Sequence, residues 1–119
     1  MDGNSSETDG VVIYHNARCS KSRMALSILR ENGVAPAIVD YLKSPLDAAA
    51  LVDLLSRLAV PAEALLRRGD PMAKELPLTT DAEIIAAIAA HPKLMQRPVV
   101  VTDRGAVIAR PPERVLDIL

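Results

Sequence analysis

The hydrophobic period changes twice within the first forty or so residues, and that alternation limits the folds open to the chain. Val11-Val12-Ile13-Tyr14 is a short β-branched and aromatic run, which reads as a strand. From Cys19 onward, Met24, Leu26, Ile28 and Leu29 recur at helical spacing, and the run ends at Asn32-Gly33, a helix C-cap signature. Ala37-Ile38-Val39 and Tyr41-Leu42 then read as a second strand. A strand–helix–strand unit of this kind predicts parallel neighbouring strands, because parallel partners need a crossover and a helix supplies it.

The middle of the chain is helical. Asp47 to Leu58, after Ser44-Pro45, carries Leu51, Leu54, Leu55 and Leu58 on one face. Pro61 suits the first turn of a short helix through Leu66. Gly69-Asp70-Pro71 breaks the pattern, and a weaker turn follows near Met72 to Leu76. Thr80 and Glu83 fit a capping box opening a helix with Ile84, Ile85 and Ile88 on its apolar face, which His91-Pro92 stops. Pro98 to Val101 and Ala106 to Ile108, joined by a turn with Asp103 and Gly105, predict an antiparallel hairpin. Glu113 to Leu119 closes with a last helical turn or two. The order predicts an α/β, thioredoxin-like fold: a four-stranded mixed sheet flanked by helices, with a helical insertion between the β-α-β and β-β-α parts. Residues 1–10, acidic and Ser/Gly-rich, read as a disordered tail, and 11–119 as one domain.

Composition removes several functions. Half of the 119 residues are apolar, with no Trp and no Phe, so the core must be built from aliphatic side chains. Fourteen basic against 15 acidic residues, net −1, lack the basic excess that nucleic-acid binding needs. Apolar runs such as Ile84 to Ala90 are too short to span a bilayer, and the opening residues carry no secretory signal. The single cysteine, Cys19, excludes an internal disulfide and a Cys₄ or Cys₂His₂ zinc site, and no metal is expected. A lone thiol without an export signal predicts a cytoplasmic protein.

That cysteine sits where a strand turns into a helix, in His15-Asn16-Ala17-Arg18-Cys19-Ser20-Lys21-Ser22-Arg23. Unpaired N–H groups and the positive end of the helix dipole both favour a thiolate there. Arg18, Lys21 and Arg23 add positive charge, Ser20 and Ser22 add hydroxyls, and His15 can stabilise the sulfur directly or through an intermediate group. The turn's amides can also cradle a small anion. A buried, inert thiol is the alternative. Position 22 is Ser, so there is no C-x-x-C pair; position 25 is Ala, so there is no C-x₅-R phosphate loop. Any disulfide of Cys19 must therefore join it to another molecule.

Ile13-Tyr14-His15-Asn16 with Cys19-Ser20-Lys21-Ser22-Arg23 resembles the Y-H-N-P-x-C-x-x-S-R block of the glutathione/glutaredoxin-coupled arsenate reductases, most nearly their short bacterial relatives. The likeness continues through Ala64-Leu65-Leu66-Arg67, Arg97-Pro98-Val99-Val100-Val101, Arg110-Pro111-Pro112 and Val115 to Leu119. It implies that Cys19 is the nucleophile and that His15 lowers its pKa. It also implies that Arg67, Arg97 and Arg110 bind the oxyanion and that Pro98 is cis. Arg68 adjoins Arg67, and a one-residue shift would exchange the two. Asn16, Ser20, Ser22 and Arg23 fall on the supporting loop, where Ala17 replaces the family's proline without removing a chemical group. The implied reaction reduces arsenate, or a similar small oxyanion, with no bound cofactor, glutathione as cosubstrate and glutaredoxin as partner. Two other readings stand beside it: an Spx-like regulator that binds RNA polymerase, and a general glutathione-linked thiol reductase. The regulators carry C-x-x-C and lack the histidine four residues before the cysteine, which argues against the first.

Overall fold

A computed structural model describes residues 10–119; residues 1–9 of the expected tail lie outside the described residues. The described chain forms two compact units, one ending at Asp40 and resuming at Arg97, the other running from Tyr41 to Gln96.

The first unit holds a four-stranded sheet in the order β2-β1-β3-β4, with β1 at Val12–His15, β2 at Ala37–Asp40, β3 at Val99–Thr102 and β4 at Gly105–Ile108. β1 and β2 are parallel, joined through helix α1 (Ser20–Glu31) as the alternating periods predict. β1 pairs antiparallel with β3, and β3 with β4. This mixed sheet flanked by helices is the thioredoxin-like arrangement. Ile13, Val100, Leu29, Ala25 and Val115 are fully buried in its core, where α1 packs against the 3₁₀ segment Pro112–Ile118. That segment replaces the α-helical turns expected at the C-terminus.

The second strand is shorter than the sequence suggests: it stops at Asp40, and Tyr41-Leu42 is a turn. β1 sets the limit, since its last paired residue, His15, meets Asp40 and the chain then leaves the sheet for the Cys19 loop. Past α1, Gly33 adopts φ +77, the left-handed conformation that the Asn-Gly signature anticipates.

The second unit contains α2 (Ala48–Leu58), α3 (Ala62–Leu65) and α4 (Asp81–Ala90). Leu51, Leu54, Leu58, Leu65, Ile84 and Ile88 are buried, the faces the spacing marks. Between α3 and α4 the weak turn is a 3₁₀ segment, Pro71–Lys74. Leu66 and Met95 form an isolated antiparallel bridge, and the amides of Arg67 and Gln96 bond the carbonyls of Leu94 and Leu65, each at 2.7 Å. No helix among the described residues is long and apolar enough to cross a membrane.

The capping box of α4 forms in full. Thr80 Oγ1 accepts the Glu83 amide at 3.1 Å, and Glu83 Oε1 accepts the Thr80 amide at 3.0 Å. Thr80→Ala removes one half of it and is expected to lower stability by about 1 kcal/mol. Urea denaturation measures the change, and an unaltered midpoint would remove the box from the account of this helix.

Candidate active site

Strand period places the first member of the site. Along β1, Ile13 and His15 are buried while Val12 and Tyr14 are half-exposed, so His15 shares the inward face of Ile13. On α1 the inward face is Ser22, Ala25, Leu26 and Leu29, with Ser22 its polar member. A hydroxyl with no exposure needs partners. Ser22 finds two: His15 Nδ1 at 2.6 Å, and the Asn16 amide, which donates to Oγ at 3.0 Å. Burial, the largest influence, lowers the His15 pKa; the Asp40 carboxylate opposes it, and the charges of Arg30 and Arg23 reinforce it. The net direction is down, which favours the neutral imidazole.

Cys19 occupies the N-cap of α1, with extended backbone at φ −93 and ψ 122. The loop before it is tied internally. Asn16 accepts the Cys19 amide on its carbonyl and the Arg18 amide on Oδ1, both at 3.0 Å. Arg23 Nη1 donates to the Ala17 carbonyl at 2.8 Å, holding the loop where the family's proline is missing. Asn16, Ser22 and Arg23 therefore fasten this turn, while Ser20 is exposed at the first helical position.

The half-buried thiol has a lowered pKa. Burial alone would raise it. The Ser22 amide, the Arg97 charge, the Lys21 amide and a hydrogen bond from the Arg97 side chain together outweigh burial. No acidic residue in the first turn of α1 cancels the amides. The cations nearest in sequence, the side chains of Arg18, Lys21 and Arg23, are not among these causes, and neither is His15. His15 Nδ1 meets the Ser22 hydroxyl, and the Ser22 amide is among the groups that lower the thiol pKa.

Sheet register brings Arg97 to this end of the unit. Val99 pairs with both Tyr14 and Ile108, so residues just before β3 lie beside the end of β1 and opposite residues just after β4. Arg110 Nη1 accordingly donates to the Arg97 carbonyl at 2.9 Å. The Arg97–Pro98 and Arg110–Pro111 peptide bonds are both cis. Arg97 Nε is buried without a hydrogen-bond partner among the described residues, and the same guanidinium is among the groups that lower the thiol pKa. An unmet buried donor costs about 1–3 kcal/mol, which an incoming acceptor would recover.

Arg67 belongs to the second unit. There its guanidinium lies 3.9 Å from Asp70, a long contact. Arg68 makes a two-point bond to Glu63 at 2.7 and 2.8 Å and a third to the Leu78 carbonyl. Of the two adjacent arginines, Arg68 is thus the one committed to structure. Asp40, in register with His15, escaped the sequence reading, because a carboxylate at a strand end carries no signal until the pairing is known. Among the described residues no cluster of His, Cys, Asp and Glu could hold a metal ion.

Replacing Arg97 by Ala is expected to move the Cys19 titration upward, with Arg97→Lys lying between it and the parent. The ultraviolet absorbance of the thiolate followed against pH measures this; superimposable curves would show that Arg97 does not act on the sulfur.

The ArsC family matches residues 14–118. The uncharacterized protein YfgD of Escherichia coli (strain K12) is 49% identical over 117 residues, covering 94% of this chain and 98% of that protein. The arsenate reductase of Neisseria meningitidis serogroup A is 40% identical over 114 residues, covering 92% and 97%. Among solved structures, the arsenate reductase from Vibrio cholerae superposes with a TM-score of 0.89 at 39% identity, over 94% of this chain and 99% of that one. With its cysteine at the helix N-cap and its cis-proline arginines in the matched region, the chain belongs to the ArsC family.

Proposed function

We propose that the protein reduces arsenate to arsenite, with Cys19 as its one nucleophile and glutathione and glutaredoxin as electron donors. The observation that carries the reading is the Arg97 guanidinium. It lowers the pKa of the thiol and keeps a buried N–H without a partner among the described residues. A tetrahedral oxyanion is an acceptor of the right charge, and guanidinium recognises such anions through paired N–H groups. Arg110 steadies Arg97 through its carbonyl. Arg67 as a third arm is proposed on the resemblance alone.

In the first step the Cys19 thiolate attacks arsenic, an S–As bond forms, and one oxygen leaves as water after taking protons from solvent. Glutathione thiolate then attacks Sγ. An S–S bond forms, the S–As electron pair stays with arsenic, and arsenic falls from +5 to +3 and departs as arsenite. Glutaredoxin thiolate removes glutathione from Cys19 by exchange, restoring the thiol. No bound cofactor enters these steps. His15 is a positioning residue in this scheme: its favoured neutral form holds the Ser22 hydroxyl, and the Ser22 amide lowers the pKa of the sulfur. The chemistry belongs in a reducing compartment, the cytoplasm.

Arsenate-dependent NADPH oxidation, coupled through glutathione, glutaredoxin and glutathione reductase, tests the proposal. Turnover is expected with the parent and none with Cys19→Ser; equal background rates for both would sink it. The thiolate is the reactive form and its pKa is lowered, so the first step should gain rate with rising pH and level off below the ordinary thiol range. Arg97→Ala should carry that plateau to higher pH. A plateau that stays in place would separate the sulfur's charge from the rate.

A further inference from the structure

In the second unit, two cations meet one buried carboxylate. The Asp70 side chain is 10% exposed and caps the 3₁₀ segment Pro71–Lys74, its Oδ1 accepting the Met72 amide at 2.9 Å. Lys93 Nζ stands 3.8 Å from that same Oδ1, and Arg67 Nη1 stands 3.9 Å from Oδ2. Backbone pairing brings the three together. The Arg67 amide bonds the carbonyl of Leu94, the residue after Lys93, and the Arg67 carbonyl accepts the Asp70 amide at 3.1 Å. Neither cation is within hydrogen-bond distance of the carboxylate, whereas neighbouring Arg68 grips Glu63 at 2.7 and 2.8 Å.

The trio does more than neutralise Asp70, since one carboxylate balances only one of the two cations. Stripping a buried carboxylate of its counter-charge is costly. Asp70 escapes that cost when Arg67 leaves, because the Met72 amide and Lys93 both stay at the other oxygen. Arg67 is held at Oδ2 by charge alone. Its side chain, 38% exposed, keeps a donor fork that suits a tetrahedral oxyanion.

We propose that Asp70 is a positioning residue for Arg67 and that Lys93 makes the hold reversible, keeping the carboxylate paired when Arg67 turns to a small tetrahedral oxyanion. The inference rests on the oxyanion-binding role proposed above for Arg67, but its test needs no turnover. Arsenate binding is measured by calorimetry in Cys19→Ser protein, which lacks the proposed nucleophile and keeps this corner intact. Lys93→Gln should weaken arsenate roughly two- to fivefold, the reach of a half-exposed ion pair, and Lys93→Arg should restore it. Asp70→Asn keeps an oxygen for the Met72 amide but removes the charge that competes for Arg67. In that background Lys93→Gln should cost much less, because no carboxylate is left to hold. An equal or larger loss there would overturn the inference, since Lys93 would then attract the anion directly. A second measurement uses no anion. The order parameter of the Arg67 Nε–H, from ¹⁵N relaxation, should rise in Lys93→Gln, where Arg67 faces Asp70 alone, and fall in Asp70→Asn. Lys93 is half-exposed, so its replacement spares the fold, and an unchanged Arg67 in Lys93→Gln would sink the inference even if Asp70→Asn did not fold. Those results would leave the arsenate assay untouched, just as absence of turnover would leave the binding and relaxation results standing.

Discussion

A single buried hydroxyl joins the two elements on which the site depends. Ser22 faces inward on α1 among aliphatic neighbours and meets His15 on the inward face of β1 and the amide of Asn16 in the loop between them. Left unmet, a buried hydroxyl costs a few kcal/mol, so strand end, loop and first helical turn are held in one arrangement. That arrangement sets the backbone around Cys19, and the backbone sets its chemistry. The amides of Lys21 and Ser22 lower the pKa of the sulfur because the helix begins there and not one residue earlier or later.

The electrostatics of Cys19 separate proximity in sequence from proximity in space. Arg18, Lys21 and Arg23 flank the cysteine, yet the charge that lowers its pKa among the leading influences is that of Arg97, while Arg23 is bound to the Ala17 carbonyl. Arg97, nearly eighty residues away in the chain, lowers the pKa of the sulfur. Exposed cations are screened by water, whereas a partly buried guanidinium held by the sheet is screened much less. Burial of His15 follows a related logic. Burial, against the pull of Asp40 and with the push of two arginines, favours the neutral imidazole, which suits it to hold a hydroxyl rather than to act as a counter-cation.

Much of the fold follows from period and punctuation. The strand–helix–strand opening, the box at Thr80 and Glu83, the hairpin and the left-handed Gly33 all appear where local pattern puts them. Local pattern fails at ends. Tyr41-Leu42 has strand composition, but β1 offers no further partner, and Pro112–Ile118 winds as 3₁₀ rather than α.

By itself the sequence determined the elements, the absence of any internal disulfide, and the position of one thiol at a helix start. These depend on side-chain period, residue count and capping chemistry, all of them local quantities. Tertiary structure decided which charges act on that thiol, that Asp40 stands in register with His15, and that Arg67 and Lys93 meet one carboxylate, Asp70. Strand register and the packing of a helix face bring together residues remote in the chain. Distance in three dimensions, to which Coulomb and hydrogen-bond energies respond, is not written in sequence spacing.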